Sequence, residues 1–281
     1  MGIVFFVVTL LLFASMEVFS KPLMGEINPL VLTFWRFVCG IAVLGIAMIL
    51  RKKRVNLKPK SIFLLAIMGI LNTFISMSLL QVAVELDSAA RAATLFCSNP
   101  VFVVIIASAL GWEKFSKKKA MGLLLGISGL ALVTGLHSFS IHSGTLYALL
   151  SSLSFALYIL VSRKASMNID PISVNVISFA FGIVALAIWL IAKGISISPA
   201  PLSASIPSFL YLGIGVSGIG YVTFITTIKK LGAGKASTIF LLKPAVATIL
   251  AILILNESLT LYFVIGLFLT GLGSYLIAQK K

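Results

Sequence analysis

Three ionisable side chains stand where water is scarce. Glu17 in "FASMEVFSK", Arg36 in "LTFWRFVCG" and Lys243 in "FLLKPAVATIL" each interrupt an otherwise largely apolar run. A carboxylate so placed can exchange a proton or hold a cation, and a guanidinium or ammonium can hold a carboxylate. At the centre of a bilayer each costs about 2.5 to 3.5 kcal/mol on insertion scales, so each needs a partner or a task. Lys243 is followed by Pro244, which cannot donate to the Phe240 carbonyl and loosens that turn. Pro100 stands in the same relation to Phe96. The two prolines are candidate hinges.

The elements that must position these residues are membrane spans. The 281 residues are 60% hydrophobic and 10% charged, with a mean hydropathy of +1.16, outside the range of soluble domains. Ten apolar segments recur, at residues 3–21, 30–50, 61–84, 89–110, 119–136, 143–163, 172–192, 206–228, 236–255 and 261–278. Each is long enough, at about 1.5 Å per residue, to cross a hydrocarbon core of about 30 Å. The fold expected is therefore an all-α integral membrane protein of ten transmembrane helices, embedded in a lipid bilayer, with loops too short to hold a soluble domain. The first segment lacks a basic leader and is read as a span, not a signal peptide. Cys39 and Cys97 both fall in spans and read as small apolar side chains.

In a soluble chain the net charge of +15 would point to nucleic acid. Its distribution points elsewhere. With the N-terminus inside, seventeen of the 22 lysines and arginines lie in inner loops, and only Lys21, Arg91 and Lys193 lie in outer ones. This contrast predicts both termini in the cytoplasm of a multi-pass protein of the cell membrane, and no nucleic-acid partner.

The chain also resembles itself. Residues 2–29 align with residues 144–171 at an offset of 142, matching Phe13 to Phe155, Lys21 to Arg163 and Pro29 to Pro171. Later spans align at 144, matching Gly69 to Gly213, Phe96 to Phe240, Pro100 to Pro244, Glu113 to Glu257, Gly122 to Gly266 and Gly129 to Gly273. Matched glycines, prolines and acids in one frame mark a duplication. With five spans per half, 1–138 and 139–281, the second half must enter the membrane in the opposite sense. Such inverted repeats place substrate sites near the midplane, between halves that alternate in access.

On these residues the chain resembles the EamA-type members of the drug/metabolite transporter superfamily, with ten spans and two repeats. The resemblance rests on "FASMEVFSK", on "PLVLTFWRFVCG" with its arginine, and on the paired "NPVFVVIIASALGWEKFS" and "KPAVATILAILILNESLT". It implies carriage of a small solute, mostly as export, by alternating access, without a cofactor, and it names no solute. Glu17 departs from the family pattern, which carries an apolar or aromatic residue there. The local "ASMEV" is similar to the small multidrug resistance proteins, whose membrane-embedded glutamate exchanges protons for cationic drugs.

Counted along straight helices, Glu17 lies about 21 Å above the inner interface and Arg36 about 9 Å below the outer one, nearly level in a core of about 30 Å. They are candidates for an ion pair that ties the first span to the second. The functional alternative is Glu17 as a proton site switched by Arg36 or a cationic substrate. Whether Glu17 meets Arg36, Lys243 or the cavity is left open. Lys243, about 12 Å from the inner interface by the same count, has three states open to it: neutral, paired with Glu17, or facing a wet cavity that receives an anionic group. The cavity is the preferred reading. Asn72 and Gln81, Asn99, Tyr158, and Tyr221 and Thr223 add polar groups around that depth and are candidate substrate contacts, with interhelical hydrogen bonding the competing role. Glu113 and Glu257 read as gate or loop anchors, Trp35 and Trp112 as interfacial or packing residues. His137 and His142 lack further ligands for a metal.

Catalysis is not expected. "GISG" and "GVSG" resemble the Gly-x-Ser-Gly of rhomboid proteases, but no histidine lies in a span to activate the serine. An uncoupled facilitator, a channel and a lipid scramblase are the remaining alternatives, and oligomeric state is left open.

Overall fold

The computed structural model describes residues 2–50, 58–111, 116–134, 143–165, 169–198, 206–231 and 239–278. Every regular element among them is helical. They group into ten rods: α1 (Gly2–Leu23), α2 (Pro29–Leu50), α3 (Pro59–Leu86), α4 (Ala89–Ala109), α5 (Lys117–Thr134), α6 (Ser143–Ala165), α7 (Pro171–Ala192), α8 (206–231), α9 (Ile239–Leu255) and α10 (Leu261–Ala278). Seven stretches are long and apolar enough by themselves to cross a membrane, one each in α1 to α4 and α6 to α8. The expected count of ten is thus met by length and composition in seven. α5 opens on three lysines, and the apolar parts of α9 and α10 are the shorter Leu242–Leu255 and Leu261–Gly273.

Several rods are broken, and each break has a cause in the sequence. α1 is interrupted at Ser15 and ends in a tight turn, Lys21–Leu23, around Pro22. α4 breaks at Cys97 and Ser98, just before Pro100, whose missing N–H frees the Phe96 carbonyl. α9 carries Pro244 inside a helix that otherwise continues. α3 and α8 each widen into a π-helix, over Ile70–Ser76 and Tyr211–Gly220, and the 144-residue offset lays the first onto the second. Widened turns hold their carbonyls loosely, and α6 supplies partners. In "SSLS", Ser154 donates to the Leu71 carbonyl at 2.8 Å, Ser151 to that of Ser76 at 2.7 Å, and Ser152 to that of Phe96 at 3.0 Å.

Glycines bring the rods into backbone contact. A β-carbon at Gly69 of α3 would lie 1.8 Å from the Ser178 carbonyl of α7, and one at Gly213 of α8 would lie 2.7 Å from Cβ of Cys39 in α2. These are equivalent contacts under the internal alignment, which sends α3 to α8 and α2 to α7. Between α5 and α10, Gly129 meets Gly266 and Thr270 while Gly273 meets Gly122 and Gly126, so these two rods run antiparallel. The alignment exchanges the first contact with the second. The interface is therefore isologous, the same patch used from both sides.

Candidate functional site

A small cavity lies among side chains from both of the aligned stretches. Its walls are Phe13, Met16, Met77, Phe96, Phe155, Val216, Tyr221, Phe240 and Lys243. The alignment pairs Phe13 with Phe155, Phe96 with Phe240 and Met77 with Tyr221, so the lining is largely duplicated. The rings pack as equivalents too: Phe13 against Phe240 at 6.4 Å between centroids, and Phe155 against Phe96 at 4.9 Å. Phe155 also packs edge-on against Phe240 at 5.5 Å. The space inside, about 20 Å³, holds a water or two and no metabolite. These phenylalanines are the site residues that sequence reasoning missed. Their signal was present, since they are among the residues that align between the halves, but an aromatic residue in an apolar span reads as packing.

The charges break this symmetry. Opposite Glu17, Arg36 and Lys243 the alignment places Ile159, Ser178 and Asn99. Lys243 Nζ donates to Glu17 Oε1 at 2.6 Å, with side-chain exposures of 2% and 0%. The same ammonium lies 4.7 Å from the centre of the Phe96 ring, where the ring's negative face adds to its stabilisation. The candidate pairing of Glu17 with Arg36 is corrected by this arrangement: the carboxylate is held by Lys243. Of the three states open to Lys243, the structure shows the ion pair, and the same residue lines the small cavity at 2% side-chain exposure. Depth counted along straight helices does not fix the partner. α1 breaks at Ser15 two residues before Glu17, α9 carries Pro244, and a lysine side chain reaches far along its own helix.

Arg36 is also buried, at 1% exposure, with its guanidinium carbon 5.0 Å from the centre of the Phe37 ring. Its Nε and Nη1 have no hydrogen-bond partner, and neither has Glu17 Oε2. The Phe37 ring in turn lies 6.1 Å from that of Tyr221. Tyr221, on the cavity wall, accepts a long 3.4 Å hydrogen bond from the Asn72 amide.

The remaining candidates divide between structural and unassigned positions. Asn99 does not line the cavity; its Nδ2 donates to the Phe96 carbonyl at 3.0 Å and helps Ser152 heal the break at Pro100. Thr223 ties α8 to α1, accepting from Thr9 Oγ1 at 2.9 Å. Tyr158 is buried with its ring 5.2 Å from Phe155, behind the cavity lining. Gln81 is buried with both ends of its amide unpartnered, away from the lining. Trp35 donates its indole N–H to the Ile197 carbonyl at 2.9 Å. Glu113, Trp112, His137, His142 and the boundary at residues 138 and 139 lie outside the described residues.

At the α3–α4 turn, two opposite charges from other helices converge. Glu257, just past α9, accepts from the amides of Ala89 and Ala90 at 2.7 and 3.2 Å, where the first turn of α4 has spare N–H groups. Lys21 of α1 donates to the Val84 carbonyl at 2.7 Å and the Glu85 carbonyl at 3.3 Å, and also to that of Asp87, at the end of α3. Each charge complements the helix end it meets.

Comparison with known proteins fits this geometry. The EamA-like transporter family matches the chain over residues 1–135 and 142–279. An "Uncharacterized transporter" of Clostridium kluyveri is 32% identical, covering 97% of this chain and 91% of that protein. "Uncharacterized transporter YoaV" of Bacillus subtilis is 23% identical, covering 89% and 87%. The "WAT1-related protein At3g02690, chloroplastic" of Arabidopsis thaliana is 27% identical over 76% of this chain and 54% of its own length. One crystal structure superposes with a TM-score of 0.70 at 20% identity, covering 98% of this chain and 95% of the other, a likeness of fold.

Proposed function

Because this chain belongs to the EamA-like transporter family, we propose that it is a secondary transporter moving a small amphipathic metabolite, an amino acid, an amine or a related solute, out across the cytoplasmic membrane. Ten spans in two inverted five-helix repeats, 1–138 and 139–281, with both termini in the cytoplasm, alternate in access around the aromatic cavity. The observation that carries the reading is the buried Glu17–Lys243 pair, whose lysine lines a cavity with walls from both aligned stretches. The isologous, antiparallel contact of α5 with α10 supports the inversion.

In the closed arrangement Lys243 holds Glu17, and the pair is electrically neutral. A solute that carries an ammonium takes Glu17 from Lys243, and a carboxylate on the same solute takes Lys243 from Glu17. Between turnovers a proton neutralises Glu17 while Lys243 is drawn away, which couples export to proton entry. Pro100 and Pro244 lie beside the cavity phenylalanines in sequence, where a change of helix direction moves the walls. A channel reading fits less well, because the lining is mostly aromatic and apolar and not a ring of like polar groups.

The test is proton movement in liposomes loaded with a pH dye and challenged with amino acids, amines and organic cations. One class should move protons, and Glu17→Gln should abolish the signal. Unchanged rate and pH dependence in Glu17→Gln would remove proton coupling. Labelled solute crossing without protons would make the protein an uncoupled facilitator, and no crossing by any solute would remove the transport reading.

A further inference from the structure

The interior carries one cation too many. Among the described residues buried within the rods, Glu17 is the single carboxylate, Lys243 occupies one of its oxygens, and Arg36 is left with two unpartnered N–H groups and almost no exposure. Asp87, the other buried acid, is at the α3–α4 turn beside Arg91. A buried guanidinium is tolerated when an anion meets its donors, and none of the described side chains does so here.

We infer that Arg36 is a carboxylate-binding subsite, lying behind Tyr221 and entered from the cavity past that ring. Tyr221 is the link between the two: it lines the cavity, and its ring lies 6.1 Å from that of Phe37, over which the guanidinium sits. Its oxygen accepts from Asn72, which leaves its own hydroxyl hydrogen for an incoming carboxylate oxygen. Arg36 Nε and Nη1 leave unmet donors on two sides of a guanidinium, which can turn a pair of parallel N–H groups toward a carboxylate as a lysine cannot. The Phe37 ring, 5.0 Å from the guanidinium carbon, holds that fork in place. The subsite rests on the transport reading for its meaning: it places the acid end of the solute at Arg36, while Glu17 serves the ammonium end. Arg36, which no carboxylate among the described residues engages, is thus the first contact of the acid end, and Lys243 joins it once the ammonium has drawn Glu17 away.

The experiment is thermal unfolding of the purified full chain in detergent, titrated with 4-methylpentanoate, with isopentylamine and, at matched ionic strength, with potassium chloride. The unfolding temperature should rise saturably with 4-methylpentanoate beyond any effect of chloride, because a ligand bound to the folded state stabilises it. Arg36→Gln should lose that rise and keep any response to isopentylamine. Should Arg36→Gln not fold, Arg36→Lys decides, with apparent carboxylate affinity falling about tenfold on loss of the planar fork. The proposal is overturned by a wild-type rise no larger than chloride gives, by an Arg36→Gln rise equal to wild type, or by unchanged affinity in Arg36→Lys. A chloride response that Arg36→Gln removes, with nothing added by the carboxylate, also overturns it, since the cation then holds a free inorganic anion. A carboxylate response alongside liposomes that carry nothing removes the transport reading and leaves the subsite; transport without that response does the reverse.

Discussion

At the scale of residues, Glu17 and Lys243 depend on each other. Two charges taken out of water lose several kcal/mol of solvation each, and their attraction recovers it only while they touch. Lys243→Met leaves a bare carboxylate in an apolar wall, and thermal unfolding in detergent should register a loss of about 3 to 5 kcal/mol. Glu17→Gln combined with Lys243→Met removes both charges and should recover most of it. A double variant as unstable as the single one would mean that Lys243 matters for packing and not for pairing. Transport separates the roles further: solute affinity unchanged in Lys243→Met would remove Lys243 from solute recognition. That these side chains are functional candidates was legible in the sequence, because charge in an apolar run is conspicuous. Which charge meets which was not, since partnership depends on helix breaks of a few ångströms and on side-chain reach.

At the scale of elements, small residues decide where rods touch. A β-carbon on Gly129 would sit 2.5 Å from Thr270 N and Oγ1 and 2.6 Å from the Gly266 carbonyl, so Gly129→Ala must push α10 away from α5. About 1 to 3 kcal/mol of stability should go, as for other overpacked interfaces. Gly45 of α2 faces open space, so Gly45→Ala should stay within about 0.5 kcal/mol in the same unfolding assay. Equal losses at the two positions would refute the contact-based account. The helices themselves occupy the residues that hydropathy marked, with ends within three positions. What hydropathy could not mark was their interior irregularity. The loose carbonyls of the α3 π-turn and of the α4 break are met by "SSLS", from about 55 to 85 residues away.

At the scale of the whole molecule, the α3–α4 turn is clasped by Lys21 from the first half and Glu257 from the second. If alternating access opens this face, the clasp must release, and Glu257→Ala should bias the molecule toward the open form. Cys97, free and buried beside the cavity phenylalanine Phe96, is a natural reporter. In a Cys39→Ala background, a water-soluble maleimide should label Cys97 several times faster once Glu257 is replaced, as the closed state loses two charge-assisted hydrogen bonds. An unchanged labelling rate would show that this clasp does not hold the face shut. Removing Lys21 instead should act in the same direction, because it grips the other side of the same turn.

The amino-acid sequence by itself determined that this is a multi-pass helical membrane protein of a transporter family. Those conclusions rest on run length, hydropathy and self-similarity, which survive any rearrangement of contacts. Glu17, Arg36 and Lys243 stood out for the same reason, as charges against an apolar background. Only the tertiary structure decided that Lys243 and not Arg36 holds Glu17, that Asn99 mends a helix break away from the cavity lining, and that eight of the nine cavity-lining residues are uncharged, most of them aromatic. The physical reason is that pairing, occlusion and residual charge are properties of juxtaposed helices. Two residues 226 positions apart become a pair through packing, and no local pattern encodes that distance.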